Sequence, residues 1–206
     1  MSRLSRRTLS TALFALGASA GAPGLALAQA AVENFSLGPR RAKVTVIEYA
    51  SVTCSHCRNW HLSVFPQFKA KYLDTNKVRF EMRELPTAPA DAATAGFMVA
   101  RCAGQKGEPI YFQVIDALFA GQEDMLASGD AAAWIARAAA AGGMTEGDAA
   151  QCLQNEAALK RFNERWQRQI AKDGVTGTPT FFVNGRKTGG DWASLDAAIT
   201  AALKRR

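Results

Sequence analysis

The chain is poor in the residues that build metal and haem sites. Its 206 residues include two histidines and four cysteines, and no cysteine precedes Cys54. A lipid on a processed N-terminal cysteine is therefore excluded. Cys54 and Cys57 are closely spaced, but no second Cys/His pair stands ready to complete four zinc ligands, so no metal is expected. Covalent haem needs histidine directly after the second cysteine, and Arg58 is there instead. A long apolar run is missing as well. Leu9 to Ala20 is apolar and small, but Gly21, Pro23 and Gly24 break it short of membrane-spanning length. Nor is there a basic patch interleaved with aromatics. The formal charge of +7 includes Arg3, Arg6 and Arg7, and without those three it is +4. What remains is scattered apart from Arg40-Arg41 and Lys204-Arg205-Arg206, so nucleic acid is not an expected partner.

The N-terminal stretch has the order of a secretion signal. A basic start is followed by the apolar segment and then by Ala26-Leu27-Ala28 or Ala28-Gln29-Ala30 as a cleavage site. Ser5-Arg6-Arg7-Thr8-Leu9 also matches part of a twin-arginine signal. Residues 1–30 are thus expected to be removed on export to the periplasm. Residues 31–206 are left as one domain, large enough for a real core. Four cysteines in an exported chain fit one working pair and one structural pair.

The working pair is Cys54-Ser55-His56-Cys57. It follows the β-branched run Val44 to Val52 and opens a helical stretch, Asn59-Trp60-His61-Leu62-Ser63-Val64-Phe65. Two cysteines three apart on a first helical turn lie on one face, within reach of a disulfide. The first thiol meets unpaired backbone N–H groups and the positive end of the helix dipole, which favour its thiolate. The second lies one turn inward and is shielded. A redox switch follows from that asymmetry. A purely structural disulfide closing so short a loop would contribute little chain entropy.

The remaining chain reads as follows. Phe35-Ser36-Leu37 is a short edge strand, and Lys43 to Ser51 is the strongest strand. Alternation puts Val44, Val46 and Glu48 on one face, with Thr45, Ile47 and Tyr49 on the other. Glu48 is either a partly exposed strand residue or a buried carboxylate that exchanges protons with the inner thiol. The helix from Ser55 runs toward Tyr72, and Pro66 predicts a kink or restart near Phe65. His61 reads as a packed or surface helix residue, not a catalytic one. Lys77 to Leu85 alternates as a second core strand, ended by Pro86 and Pro89. From Asp91 to about Ala171 helical segments take over: Ala92–Ala103, Pro109–Ala120, Asp130–Ala141, Glu146 onward and Asn155–Lys172. Phe97, Trp134, Leu153, Phe162 and Trp166 are expected to pack between them. Gly177-Thr178-Pro179 precedes a strand at Thr180–Val183. Asn184-Gly185 signals a hairpin into Arg186–Thr188, and a last helix begins at Asp191-Trp192.

Together, Val46-Ile47-Glu48-Tyr49-Ala50-Ser51 leading into Cys54-Ser55-His56-Cys57, the helical block, and Thr176 to Gly185 resemble the DsbA-like branch of the thioredoxin superfamily. The resemblance covers nearly the whole mature chain. It implies an α/β thioredoxin fold with a helical insertion between the two halves of the sheet. It implies Cys54 as nucleophile, Cys57 as resolving cysteine, Ser55 and His56 as supporting residues, and Glu48 as the buried acid. Pro179 would be cis, and the Thr178 backbone would hold an extended substrate. The best-known member has Pro-His where this chain has Ser55-His56. The implied activity transfers the Cys54–Cys57 disulfide to reduced, cysteine-containing exported polypeptides without a cofactor, and a quinone-linked membrane protein restores it. With only about a dozen residues between the cleavage site and the strand at Lys43, there is no room for the dimerising module of the isomerases, and a monomer is expected. A disulfide isomerase, a specialised reductase and a binding or chaperone module with an inert disulfide are the alternatives. Cys102 and Cys152 are expected either to bridge within the insertion or to pack as separate small hydrophobes.

Overall fold

The computed structural model describes residues 33–205; the signal expected at 1–30 lies outside them. Period-two alternation in the two longest apolar runs produces the two central strands. Strand β1 (Phe35–Leu37) lies antiparallel to β3 (Val78–Glu84), and β2 (Val44–Ala50) runs parallel to β3. On the other side of β2, β4 (Thr180–Val183) and β5 (Arg186–Thr188) form an antiparallel hairpin, giving the order β1-β3-β2-β4-β5. Asn184 and Gly185 both take positive φ, 46° and 76°, the backbone a tight two-residue turn demands. The Asn184 side chain then accepts from Thr45 N–H at 2.8 Å, stitching the hairpin to β2.

Between β2 and β3 the chain is helical. Helix α1 (Ser55–Ser63) ends before Pro66, and α2 (Phe65–Phe68) restarts there and continues into a π-helical turn at Lys69–Leu73. The restart expected at Pro66 is present, because proline fits a first turn where its missing N–H costs nothing.

The insertion between β3 and β4 holds α3 (Ala90–Ala103), α4 (Glu108–Ala120), α5 (Gln122–Ser128), α6 (Ala131–Ala141), α7 (Glu146–Leu153) and α8 (Glu156–Asp173). Side-chain caps fix several starts. Asp130 accepts from Ala133 N–H, Asn155 from Ala158 N–H, and Thr145 with Asp148 forms a reciprocal box. Helix α8 closes on Gly174 at φ +63°, and the last helix, α9 (Trp192–Lys204), is capped by Asp191.

One expectation fails. Leu153 is 40% exposed and does not pack between helices. Leu153 is the last residue of the short α7, whose buried residues are Ala149 and Cys152. Helix α5 was not anticipated at all. Its residues, Gln122 to Ser128, carry no apolar periodicity.

The core is continuous from sheet to insertion. Trp60 lies within 4.7–6.2 Å of the rings of Phe65, Phe68, Phe80 and Phe181. Each such buried side chain contributes about 1.5–3 kcal/mol. A smaller cluster of Tyr49, Leu85, Val175 and Phe182 fills the opposite face of the sheet. Cys102 on α3 and Cys152 on α7 are joined by a disulfide, with Cα atoms 6.2 Å apart.

Candidate active site

Strand β2 ends in a short loop whose backbone is held from several sides before α1 begins. The Ser51 Oγ accepts from Thr87 N–H at 3.1 Å and pairs with Thr53 Oγ1 at 3.0 Å. Gln122, 1% exposed, donates through Nε2 to the carbonyls of Val52 (2.7 Å) and Cys54 (3.1 Å). Arg58, just past Cys57, pairs with Glu123 at 2.9 Å. The insertion thus clamps the start of α1 through two adjacent residues of α5. Neither was foreseen, because a polar pair in an unpatterned segment gives no sign of what it faces.

Cys54 is the residue immediately before α1 and is half-buried; Cys57, one turn in, is fully buried. Both are thiols in this structure. Their environments push them in opposite directions. A hydrogen bond from the Cys57 thiol, then one from the Thr178 side chain, then the N–H groups of Cys57 and His56 draw Cys54 from the ordinary 9.0 to about 5 against partial burial. When protonated, Cys54 donates instead to the Thr178 carbonyl at 3.5 Å. Burial, the hydrogen bond to Cys54 and the negative charge of Glu48 push the Cys57 thiol far up. The N–H of Ser51, at 3.5 Å from the Cys57 sulfur, pulls the other way.

Around the pair sit the other expected residues. The Thr178–Pro179 bond is cis, and so is Ala88–Pro89, which sequence gave no reason to expect. Ser55 and His56 are exposed, and His56 acts on Cys54 through its backbone N–H. Its side chain joins Asn59, Trp60, Pro179, Phe181 and Asp191 around a groove of about 400 Å³. Trp60 donates across this groove floor to the Gly190 carbonyl at 2.7 Å. That approach needs glycine, since a Cβ there would stand 2.3 Å from the Phe181 ring. Glu48 is fully buried, so the partly exposed strand residue is ruled out. Its Oε2 lies 2.9 Å from His61 Nε2, which makes His61 a packed residue with a specific partner.

Comparison with known proteins fits this geometry. The family model described as thioredoxin matches residues 30–204. The chain belongs to the thioredoxin family. A Rickettsia conorii protein named as a protein-disulfide oxidoreductase is 32% identical over 173 residues, 83% of this chain and 60% of that protein. The chain spans about 60% of the length of such relatives. Among solved structures, Wolbachia pipientis α-DsbA1 superposes with a TM-score of 0.74 at 26% identity, covering 82% of this chain and 90% of that one. BdbD from Bacillus subtilis, at 18% identity, shares the fold with a TM-score of 0.71, over 84% and 94% of the two chains. The expected DsbA-like thioredoxin fold, with its helical insertion between the halves of the sheet, is the fold found.

Proposed function

We propose that this chain is a thiol:disulfide oxidoreductase that passes a Cys54–Cys57 disulfide to reduced, exported polypeptides in the periplasm. The observation that carries the reading is the split between the two sulfurs: Cys54 at about 5 on a helix start, Cys57 buried and held as a thiol behind it. A fall from 9.0 to about 5, at about 1.4 kcal/mol per pKa unit, favours the reduced state by at most ~5.5 kcal/mol. Solvent around a half-exposed sulfur lowers that figure. A protein whose reduced form is so favoured gives its disulfide away readily.

In the reaction, a client thiolate attacks Cys54 Sγ and the Cys54–Cys57 bond breaks. Cys57 leaves with the electron pair and takes a proton from Glu48. A second client thiolate then attacks the client sulfur of the mixed disulfide. Cys54 departs as a thiolate and the client leaves oxidised. Pro179 borders the groove and the Thr178 carbonyl lies 3.5 Å from Cys54 Sγ, and there an extended client segment pairs with the backbone of Thr178. The chain works as a monomer, and a quinone-linked membrane protein restores the disulfide.

The test uses two variants and a glutathione titration. Cys54→Ser abolishes oxidation of a reduced, unfolded client. Cys57→Ala accumulates client adducts on Cys54, because the escape step is lost. Adducts formed chiefly through Cys57 in the Cys54→Ser protein would overturn the assignment. A reduction potential near that of thioredoxin in the glutathione titration would turn the direction toward a reductase.

A further inference from the structure

Glu48 and His61 form a buried couple with no structural partner to explain it. The His61 side chain is 3% exposed and that of Glu48 is fully buried, and their facing atoms are 2.9 Å apart. Each has a second polar atom, Glu48 Oε1 and His61 Nδ1, that is buried without a hydrogen-bond partner. Leaving two such atoms bare in an apolar setting costs about 1–3 kcal/mol each, which a structural ion pair would avoid. The walls are apolar rings. His61 stacks on Phe119 at 4.3 Å and lies edge-on to Trp60 at 5.1 Å, with Phe65 also at 5.1 Å. The titratable groups facing the couple are Cys57 on α1 and Asp116 on α4. Burial comes first in raising the Cys57 pKa, and the Glu48 charge lies close enough to add to it. Asp116 is on the exposed side of α4; burial of its carboxyl raises its pKa and the His61 charge lowers it.

We propose that His61 acts through Glu48 as the outward half of a proton relay for Cys57. The inference rests on the oxidoreductase reading and names a positioning residue that reading does not use. When the mixed disulfide on Cys54 is resolved by Cys57, the Cys57 S–H proton passes to Glu48 Oε1. The Cys57 sulfur attacks Cys54 Sγ, and the bond from Cys54 to the other thiol breaks. That thiol leaves with the electron pair. As Glu48 gains that proton, the imidazolium whose Nε2–H faces Oε2 gives up its Nδ1 proton to solvent, so one proton enters the couple and one leaves it. In the disulfide-donating direction the same proton returns to Cys57. A buried carboxylate alone would stay charged or neutral according to its last turnover. The imidazole lets it reset between turnovers.

The experiment follows the internal step directly. Reduced protein reacts with an aromatic disulfide, 5,5′-dithiobis(2-nitrobenzoate); Cys54 takes the first thionitrobenzoate, and Cys57 expels it in a second, unimolecular release. That second rate is recorded from pH 4 to 9 for wild type, His61→Phe, His61→Gln and Glu48→Gln. Phenylalanine keeps the stacking on Phe119 and removes the relay. Glutamine retains a donor to Glu48 but cannot pass a proton on. Both His61 variants should lose about tenfold in the second release, a modest share of a general-base effect. They should also lose one inflection of the pH profile while the Cys54 alkylation pKa stays in place. Adding either change to Glu48→Gln should cost nothing further.

Full rescue by His61→Gln would reduce the residue to a structural hydrogen bond and overturn the proposal. So would an additive double variant. If the variants do not fold, the wild-type His61 ring is titrated by nitrogen NMR in the oxidised and the reduced protein, and identical titrations overturn it. A wild type that shows no second release removes the oxidoreductase reading itself. A wild type that releases normally beside an unchanged His61→Phe profile removes the relay alone.

Discussion

Two cysteines separated by Ser55 and His56 differ by what surrounds them, and the difference has a sign that pH can test. The Cys54 thiol titrates at about 5 in the folded, reduced protein and near its ordinary 9.0 when unfolded. Between those values the unfolded chain binds the extra proton, so the stability of the reduced form rises with pH. The contribution is complete above about pH 9, shrinks as pH falls, and is gone once pH has dropped through about 5. Its slope is at most about 1.4 kcal/mol per pH unit, and less for a half-exposed sulfur. In the oxidised form there is no thiol to titrate. The thermal midpoint of the reduced protein should therefore exceed that of the oxidised protein at pH 8, and the gap should close by pH 4 to 5. A gap independent of pH would mean that Cys54 is an ordinary thiol. Cys57 adds nothing to this window, because it is protonated in both states there.

Helices α3 and α7 are joined through Cys102 and Cys152, 50 residues apart in sequence. In the chain-entropy account such a loop is worth about 4 kcal/mol, which for a domain of this size is roughly 8–16 °C of thermal midpoint. Replacing both cysteines with alanine should lower the midpoint by up to that amount and leave Cys54 reactivity toward an alkylating reagent intact. Mass measurement under a reductant that opens only Cys54–Cys57 should find this second bridge closed. A double variant as stable as wild type would show that the unfolded state was not constrained by it. At this scale the sequence was informative wherever local chemistry decides structure. Alternation in Val44 to Ala50, proline at 66 and Asn184-Gly185 act within a few residues, and each element formed where expected. Helix α5 was not legible, because Gln122 and Glu123 are placed by contacts to Val52, Cys54 and Arg58 far away in sequence. The same holds for Glu48, whose burial the strand alternation suggested but whose partner His61 was assigned no role.

Across the whole molecule, the sheet and the insertion are locked by one buried acid. Glu84, at the end of β3, is 1% exposed and accepts from Arg101 on α3 at 3.0 Å, Arg165 on α8 at 2.8 Å and the Tyr111 hydroxyl on α4 at 3.0 Å. It has the same parity as Val78, Phe80 and Met82, which are all buried, so alternation marks it for the core face. No local pattern tells which arginines will meet it. Burial alone would raise its pKa, but the charges of Arg101 and Arg165 outweigh burial and hold the carboxyl below its ordinary 4.5. A depressed folded value means stability that is present above about 4.5 and is lost as pH falls through the folded value. Glu84→Gln should cost about 3–5 kcal/mol at neutral pH, since two guanidinium groups would be left beside a neutral amide. Urea unfolding at pH 7 measures that loss. Repeated between pH 5 and pH 2, it should show the wild type losing stability more steeply than the variant, because the variant has no carboxylate there to protonate. Parallel acid curves, or a loss below 1 kcal/mol at pH 7, would mean that the insertion is held to the sheet by apolar packing and not by this ionic centre.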